Sequence, residues 1–189
     1  MTKHFDVGTR LPTLEGERVA LRWLTEADVP ALYTIFSDPD VCRYWSSPPM
    51  GSIEDAKRLL KEIHQCFRER SLFQWGIARL DDDHVIGTCT LADLHPVHRR
   101  AEVGFALEKA SWGQGLVREV LPLVFTFAFD TLDLHRIEAD IDPANTPSIR
   151  IVESFGFQRE GYLRERYHVG DIIQDALMYG LLRSDWEKR

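Results

Sequence analysis

Residues 101–131, AEVGFALEKASWGQGLVREVLPLVFTFAFDT, constrain the fold more than any other stretch of the chain. Val103, Phe105 and Leu107 alternate with Glu102, Gly104 and Ala106, which is the period of a half-buried strand. Gly113-Gln114-Gly115 then breaks the pattern, and an apolar run of helical length follows. A strand feeding a glycine-rich turn at a helix start gathers backbone N–H groups at the positive end of the helix dipole. That arrangement suits a phosphorylated ligand. By itself the turn also fits an ordinary strand-to-helix connection. A Walker loop ends in Gly-Lys followed by Ser or Thr, and no such string occurs here. A dinucleotide fingerprint needs a third glycine where Arg118 stands.

The chain has 189 residues, the size of one domain, with enough apolar content (44%) to build a core without metal or disulfide support. No apolar run reaches the roughly 20 residues that cross a bilayer, because Arg118, Glu119 and Pro122 interrupt 116–129. The N-terminus lacks the apolar centre of a secretion signal. Cys42, Cys66 and Cys89 are widely spaced and form no CxxC pair, so neither disulfides nor structural zinc are expected. A cytoplasmic protein is the expectation. A net charge of −7 disfavours broad capture of nucleic acid. It is compatible with a cationic amine substrate, and also with plain solubility. His95 and His98 sit in a basic turn with no third ligand at a supporting spacing, so no metal is expected there.

Hydrophobic periodicity predicts the order β-α-α-β-β-β-α-β-α-β-β, a mixed sheet with helices on both faces. Strands are expected at 18–23, 73–79, 85–92, 101–107, 136–142, 157–163 and 172–182. A first helix should start at the capping box Thr25-x-x-Asp28 and end near Ser37, and a second should span 52–70. Residues 39–51, with three prolines and the exposed-looking Tyr44 and Trp45, read as a loop, as do 164–171. The helix after the glycine turn is apolar nearly all round and should be central, with a bend at Pro122. A further helix opens at Asn145-Thr-Pro-Ser148 and stops at Gly156.

These motifs in this order resemble the GNAT superfamily of acetyl-CoA-dependent N-acetyltransferases. Within it the chain looks most like the enzymes that acetylate N-terminal amines of ribosomal proteins. The similarity spans about residues 16–183 of one domain covering 1–189, and rests on AEVGFAL, WGQGLV, NTPSIRIVESFGF, EGYLRE and DALMYGLL. The resemblance implies a mostly antiparallel mixed α/β sheet that splays between strands 101–107 and 136–142, with coenzyme A in the opening. Backbone groups of Phe105, Ala106 and Leu107 would face the pantetheine arm like an added strand. N–H groups around Gly113, Gln114, Gly115, Leu116 and Val117 would cradle the diphosphate, and Arg118 would add a charged contact or stand free at the surface. Asn145 would position the pantetheine or cap its helix.

Two departures from the family pattern carry consequences. Trp112 stands where Arg or Gln is usual, as often in this branch, and Val117 replaces a smaller residue and would crowd the diphosphate.

The implied reaction is attack of a neutral amine on the thioester of acetyl-CoA, the co-substrate. It requires deprotonation of the ammonium, polarisation of the carbonyl and protonation of the departing thiolate. A backbone N–H near Phe105 or Ala106 would polarise the carbonyl. Many relatives place the acid, a tyrosine, seven residues after the asparagine, and here that residue is Val152. Ser148 is then the acid, or serves only the first turn of its helix. Glu102 and Asp140 are candidate bases acting through water, with Glu165 a third option near the acceptor. Trp45 and Tyr44 would border the acceptor. Cys89, mid-strand without a histidine, reads as a buried hydrophobe. The expected acceptor is an N-terminal α-amine, including that of a ribosomal protein. A small amine, or a coenzyme-binding module without turnover, are the other readings. The chain would be a monomer, or a homodimer through the last strands, with no nucleic-acid or membrane partner.

Overall fold

The computed structural model describes Phe5 and residues 7–189. Eight strands form one sheet in the order β1-β2-β3-β4-β5-β6-β8-β7. They are β1 (Leu14–Glu15), β2 (Val19–Arg22), β3 (Phe73–Arg79), β4 (Val85–His95), β5 (Arg100–Leu107), β6 (Arg136–Ile141), β7 (Gln158–Val169) and β8 (Ile172–Leu182). Every pairing is antiparallel except β5 with β6. The helices are α1 (Val29–Ser37), α2 (Ile53–Glu69), α3 (Leu116–Thr126), α4 (Thr146–Ser154) and the single turn α5 (Arg183–Trp186).

The alternation in β5 sorts its side chains onto two cores. Ala101, Val103 and Leu107 join the larger one, with Leu116, Val120, Val124 and Phe125 of α3 and Val152 of α4. Ala106 joins the smaller one, with Leu32 and Ile35 of α1 and Leu60 and Ile63 of α2. Helices therefore cover both faces, as the apolar stripes imply. Trp75 on β3 is fully buried, and its Nε1 donates to Pro12 C=O at 3.0 Å, so the large ring leaves no orphan donor.

Several elements depart from the reading of the sequence. The Thr25–Asp28 capping box forms, but it starts a 3-10 turn, Glu26–Asp28, and the α-helix proper begins at Val29. The 39–51 segment carries a 3-10 turn, Cys42–Tyr44, and both Tyr44 and Trp45 are half-buried rather than exposed. Trp45 packs on Phe36 with ring centroids 5.3 Å apart. The central helix runs on through Pro122 and widens into a π-helical turn over Phe127–Thr131. Residues 164–169 belong to β7 and are not a loop. The ladder slips between Leu163 and Tyr167, and Glu165 takes φ +53, so the bulge breaks the alternation that marks a strand. Among the described residues no helix is long and apolar enough to cross a membrane.

The feature that positions the site is the brevity of the parallel ladder. β5 and β6 pair only through Arg100↔Arg136, Ala101↔Ile137 and Glu102↔Glu138, while β5 stays paired with β4 as far as Leu107. β6 stays paired with β8 to Ile141. Beyond Glu102 the two strands part, leaving an open edge on β5.

Candidate active site

One wall of the opening is the turn before α3. Gly113 and Gly115 have φ of +73 and +78, a conformation that strains any residue with a Cβ. Trp112 N–H closes on Lys109, and the next recorded backbone bond runs from Glu119 N–H to Gly115 C=O. Among the described residues, the N–H groups of residues 113–118 have no acceptor within the chain. Leu116 and Val117 bury their side chains in the larger core, so Val117 does not crowd the loop surface as its bulk suggested. Arg118 is exposed, with no ion pair among the described residues. A free row of amides at a helix N-terminus, with a cation beside it, fits a diphosphate.

The turn is held from below. Glu119 Oε1 accepts the Glu17 and Arg18 N–H groups at 2.7 Å each, and Glu119 Oε2 pairs with Arg18 Nε at 2.8 Å. Arg18 Nη1 also donates to Gln114 C=O at 3.0 Å. Burial works against ionisation of Glu119, but these donors outweigh it and hold the carboxyl below its ordinary range. Trp112 Nε1 donates to Leu107 C=O at 2.8 Å, joining the turn to the end of β5.

The open edge of β5 follows from ladder alternation. Glu108 N–H donates to Ile86 C=O at 2.8 Å. Hydrogen-bonded pairs alternate along an antiparallel ladder. Gly104 and Ala106 therefore turn their backbone groups to β4, and Val103, Phe105 and Leu107 turn theirs to the opening. This corrects the reading of Ala106 as a backbone contact. Trp112 occupies the Leu107 carbonyl, and the Phe105 N–H is among the backbone groups left facing the opening.

Asn145 and Ser148 lie just beyond the end of β6. Asn145 Oδ1 accepts the Ser148 N–H at 3.3 Å, so Asn145 caps α4, and Pro147 occupies the first turn. Ser148 is half-buried, and its hydroxyl has no hydrogen bond among the described residues. Val152, at the position of the family tyrosine, is fully buried in the larger core.

The carboxylates gather on the other side of the parting strands. Burial first, then the charges of Asp140 and Asp93, push the Glu102 carboxyl up from 4.5 to about 7. Asp140 is nearly inaccessible, its side chain only 2% exposed. Its Oδ2 accepts from Tyr167 hydroxyl at 2.9 Å and Arg166 Nε at 3.2 Å. Among the described residues, Asp140 Oδ1 has no hydrogen-bond partner although it is buried. Burial, followed by the bond to Asp140, raises the Tyr167 hydroxyl to about 12. Asp140 is thus already engaged with a cation and a phenol, whereas Glu102 is the carboxyl held near neutrality. Glu165 stands exposed at the β7 bulge, where its N–H donates to Asp175 Oδ1 at 2.7 Å. Across the cleft, Gln174 Nε2 of β8 donates to Arg43 C=O at 3.3 Å, linking the last hairpin to the segment that holds Tyr44 and Trp45.

Other reactive residues stay out of the site. Cys89 is fully buried, and burial pushes its thiol up to about 12, which leaves it inert as a nucleophile. The His95 and His98 rings stack at 4.3 Å, and no group of three or more metal-ligating side chains occurs among the described residues.

Three contributors were missed in the sequence. Arg18 and Glu119 meet across a hundred residues, and no spacing rule pairs them. Tyr167 sits beyond the bulge in β7, whose register hides which face it occupies. A weak signal for Glu119 existed: it is an acidic residue in the first turn of an otherwise apolar helix.

A strand parted from its neighbour, a turn of unpaired amides and a near-neutral carboxyl at the fork define an acyl-transfer site of the acetyltransferase kind. The chain belongs to the GNAT acetyltransferase family, whose domain model matches residues 18–158. It is 34% identical to the uncharacterized N-acetyltransferase YoaA of Bacillus subtilis, over 91% of this chain and 97% of that one. The uncharacterized N-acetyltransferase p20 of Bacillus licheniformis is 32% identical, over 93% and 99% of the two chains. The solved structure of Mycobacterium smegmatis RimJ in complex with CoA-disulfide superposes with TM-score 0.82 at 22% identity, covering 92% of this chain and 88% of that one. The protein is an N-acetyltransferase that moves an acetyl group from acetyl-CoA to an amine.

Proposed function

We propose that the acceptor is the N-terminal α-amine of a protein or peptide, acetylated in the cytoplasm by this chain acting as a single catalytic domain. The amides of 113–118 and Arg118 hold the diphosphate of acetyl-CoA, and Phe105 N–H binds the thioester carbonyl. Glu102 takes a proton from the ammonium through water. The free amine attacks the carbonyl carbon, the C–S bond breaks, and the second proton shed by the nitrogen is relayed through the Ser148 hydroxyl to the sulfur, giving the acetylated amine and free coenzyme A.

The observation that carries this reading is Glu102, a carboxyl near neutrality at the fork of β5 and β6. A base of that strength suits an α-amine, whose own pKa of about 8 lies well below that of a lysine side chain. Likeness in fold to RimJ, and to the ribosomal-protein-S5-alanine acetyltransferase of Vibrio fischeri (TM-score 0.81, 19% identity, covering 93% of this chain and 98% of that one), is consistent with it. A second reading makes a polyamine the acceptor. It is favoured by 24% identity to the spermidine N(1)-acetyltransferase of Vibrio cholerae over 92% of this chain and 98% of that one.

Thiol release from acetyl-CoA, measured with an alanine-initiated hexapeptide, spermidine and free amino acids, separates the two. Stimulation by the peptide is expected. Stimulation by spermidine alone replaces this reading with the second, and release with no amine at all overturns both.

A further inference from the structure

Gly104 is the one member of the AEVGFAL strand whose identity nothing so far explains. Its φ lies outside the left-handed region, and a Cβ built on it would meet nothing within 4 Å. Other strand glycines have a packing reason. At Gly87 a Cβ would strike Ala106 C=O at 2.3 Å, and at Gly76 it would strike Leu24 at 2.7 Å. A glycine inside a strand weakens it, and where neither backbone nor packing demands one it marks close approach by something else.

The register says what could approach. Gly104 pairs with Thr90 and shares a face with Glu102 and Ala106, the face turned to α1 and α2. Val103, Leu107 and α3 occupy the opposite face. The open space over Gly104 is therefore on the far side of the sheet from the phosphate-binding turn. Glu102 is two positions away, about 6.8 Å along the strand. Two buried oxygens without hydrogen-bond partners among the described residues lie on this same face: Thr88 Oγ1, paired across from Ala106, and Asp140 Oδ1, beyond the Glu102↔Glu138 pair. Native interiors rarely leave such groups unmet unless a ligand or water satisfies them.

We propose that Gly104 sets acceptor specificity, the space above it receiving the substituent on the carbon next to the reacting amine. The pocket then suits an α-branched amine, such as the first residue of a peptide, and a side chain at position 104 would exclude it. This rests on the assignment of Glu102 as base for an α-amine acceptor. Filling that space changes acceptor choice without touching the phosphate-binding turn, because the two lie on opposite faces.

Gly104→Val and Gly104→Ala test it, with the alanine-initiated hexapeptide as the branched probe and spermidine as the unbranched one. Gly104→Val is expected to raise the peptide KM at least tenfold more than the spermidine KM, with Gly104→Ala intermediate. Coenzyme A affinity by calorimetry should be unchanged. The melting temperature should not fall, since the new side chain enters open space and valine suits a strand. A peptide-to-spermidine KM ratio unchanged in Gly104→Val overturns the inference alone, as does a lowered melting temperature, which would show that the glycine serves packing. A wild type that acetylates spermidine and ignores the peptide overturns the α-amine reading and this inference together.

Discussion

Replacing Glu102 with glutamine should make the protein more stable and less active, and the size of the first effect follows from the site. Burial, then Asp140 and Asp93, raise this carboxyl from 4.5 to about 7 in the folded chain. Below pH 4.5 the group is protonated folded and unfolded alike, and it costs nothing. Above pH 7 it is ionised in both states, and the folded state bears the full penalty of a charge in an unfavourable setting. At roughly 1.4 kcal/mol per pH unit, that penalty is about 3 kcal/mol. Wild-type stability attributable to this group therefore falls as pH rises from 4.5 to 7, the reverse of a carboxylate held by an ion pair. Glu102→Gln removes the ionisation. Its advantage over wild type, read from urea midpoints, should grow by about 3 kcal/mol between pH 4 and pH 8. A general base contributes on the order of 100-fold or more, so kcat/KM for the amine should fall by at least that factor, and the activity limb near pH 7 should vanish. An advantage equal at the two pH values would refute the burial argument, and retained turnover would remove Glu102 from the chemistry.

Other consequences are equally open to measurement. Ser148→Ala should lower kcat at least tenfold with acetyl-CoA affinity unaltered by calorimetry; an unaffected kcat would leave Ser148 only its place in the first turn of α4. Gly115→Ala forces a side chain into φ +78, at about 1–2 kcal/mol, and should weaken coenzyme A binding in the same calorimeter. Undiminished affinity would mean that the turn does not grip the phosphates. Glu119→Ala takes an acceptor from three N–H groups (Glu17, Arg18 and Val19) and from the Arg18 guanidinium, a loss of about 2–3 kcal/mol in urea unfolding at pH 7. Because Glu119 is held below its ordinary range, the deficit should shrink as pH falls below 4.5. A deficit constant with pH would assign Glu119 a packing role instead.

Much of the framework around the opening was readable before any coordinates, and the reason differs from element to element. Alternation in 101–107 marked the strand because one face is buried on each side of it, and Gly113 and Gly115 marked the turn because no other residue takes their conformation without strain. Asn145 and Pro147 announced the start of α4 through the chemistry of a helix cap. The readings that failed were those where local pattern underdetermines the outcome. Ala106 looked like its neighbours Phe105 and Leu107, yet only the β4 register tells which way its amide points. Residues 164–169 looked like a loop because a bulge scrambles the period of two. Val117 looked obstructive until the helix rotated its side chain into the core.

What the chain determined by itself was its repertoire: strands, caps, the glycine turn and a short supply of carboxylates, all encoded within a few residues of one another. The tertiary structure decided how many rungs β5 and β6 share before they separate, which carboxyl loses its water, and which distant arginine braces the turn. Those outcomes depend on burial and on contacts between residues far apart in sequence, where hydration and charge are set by neighbours that no local pattern names.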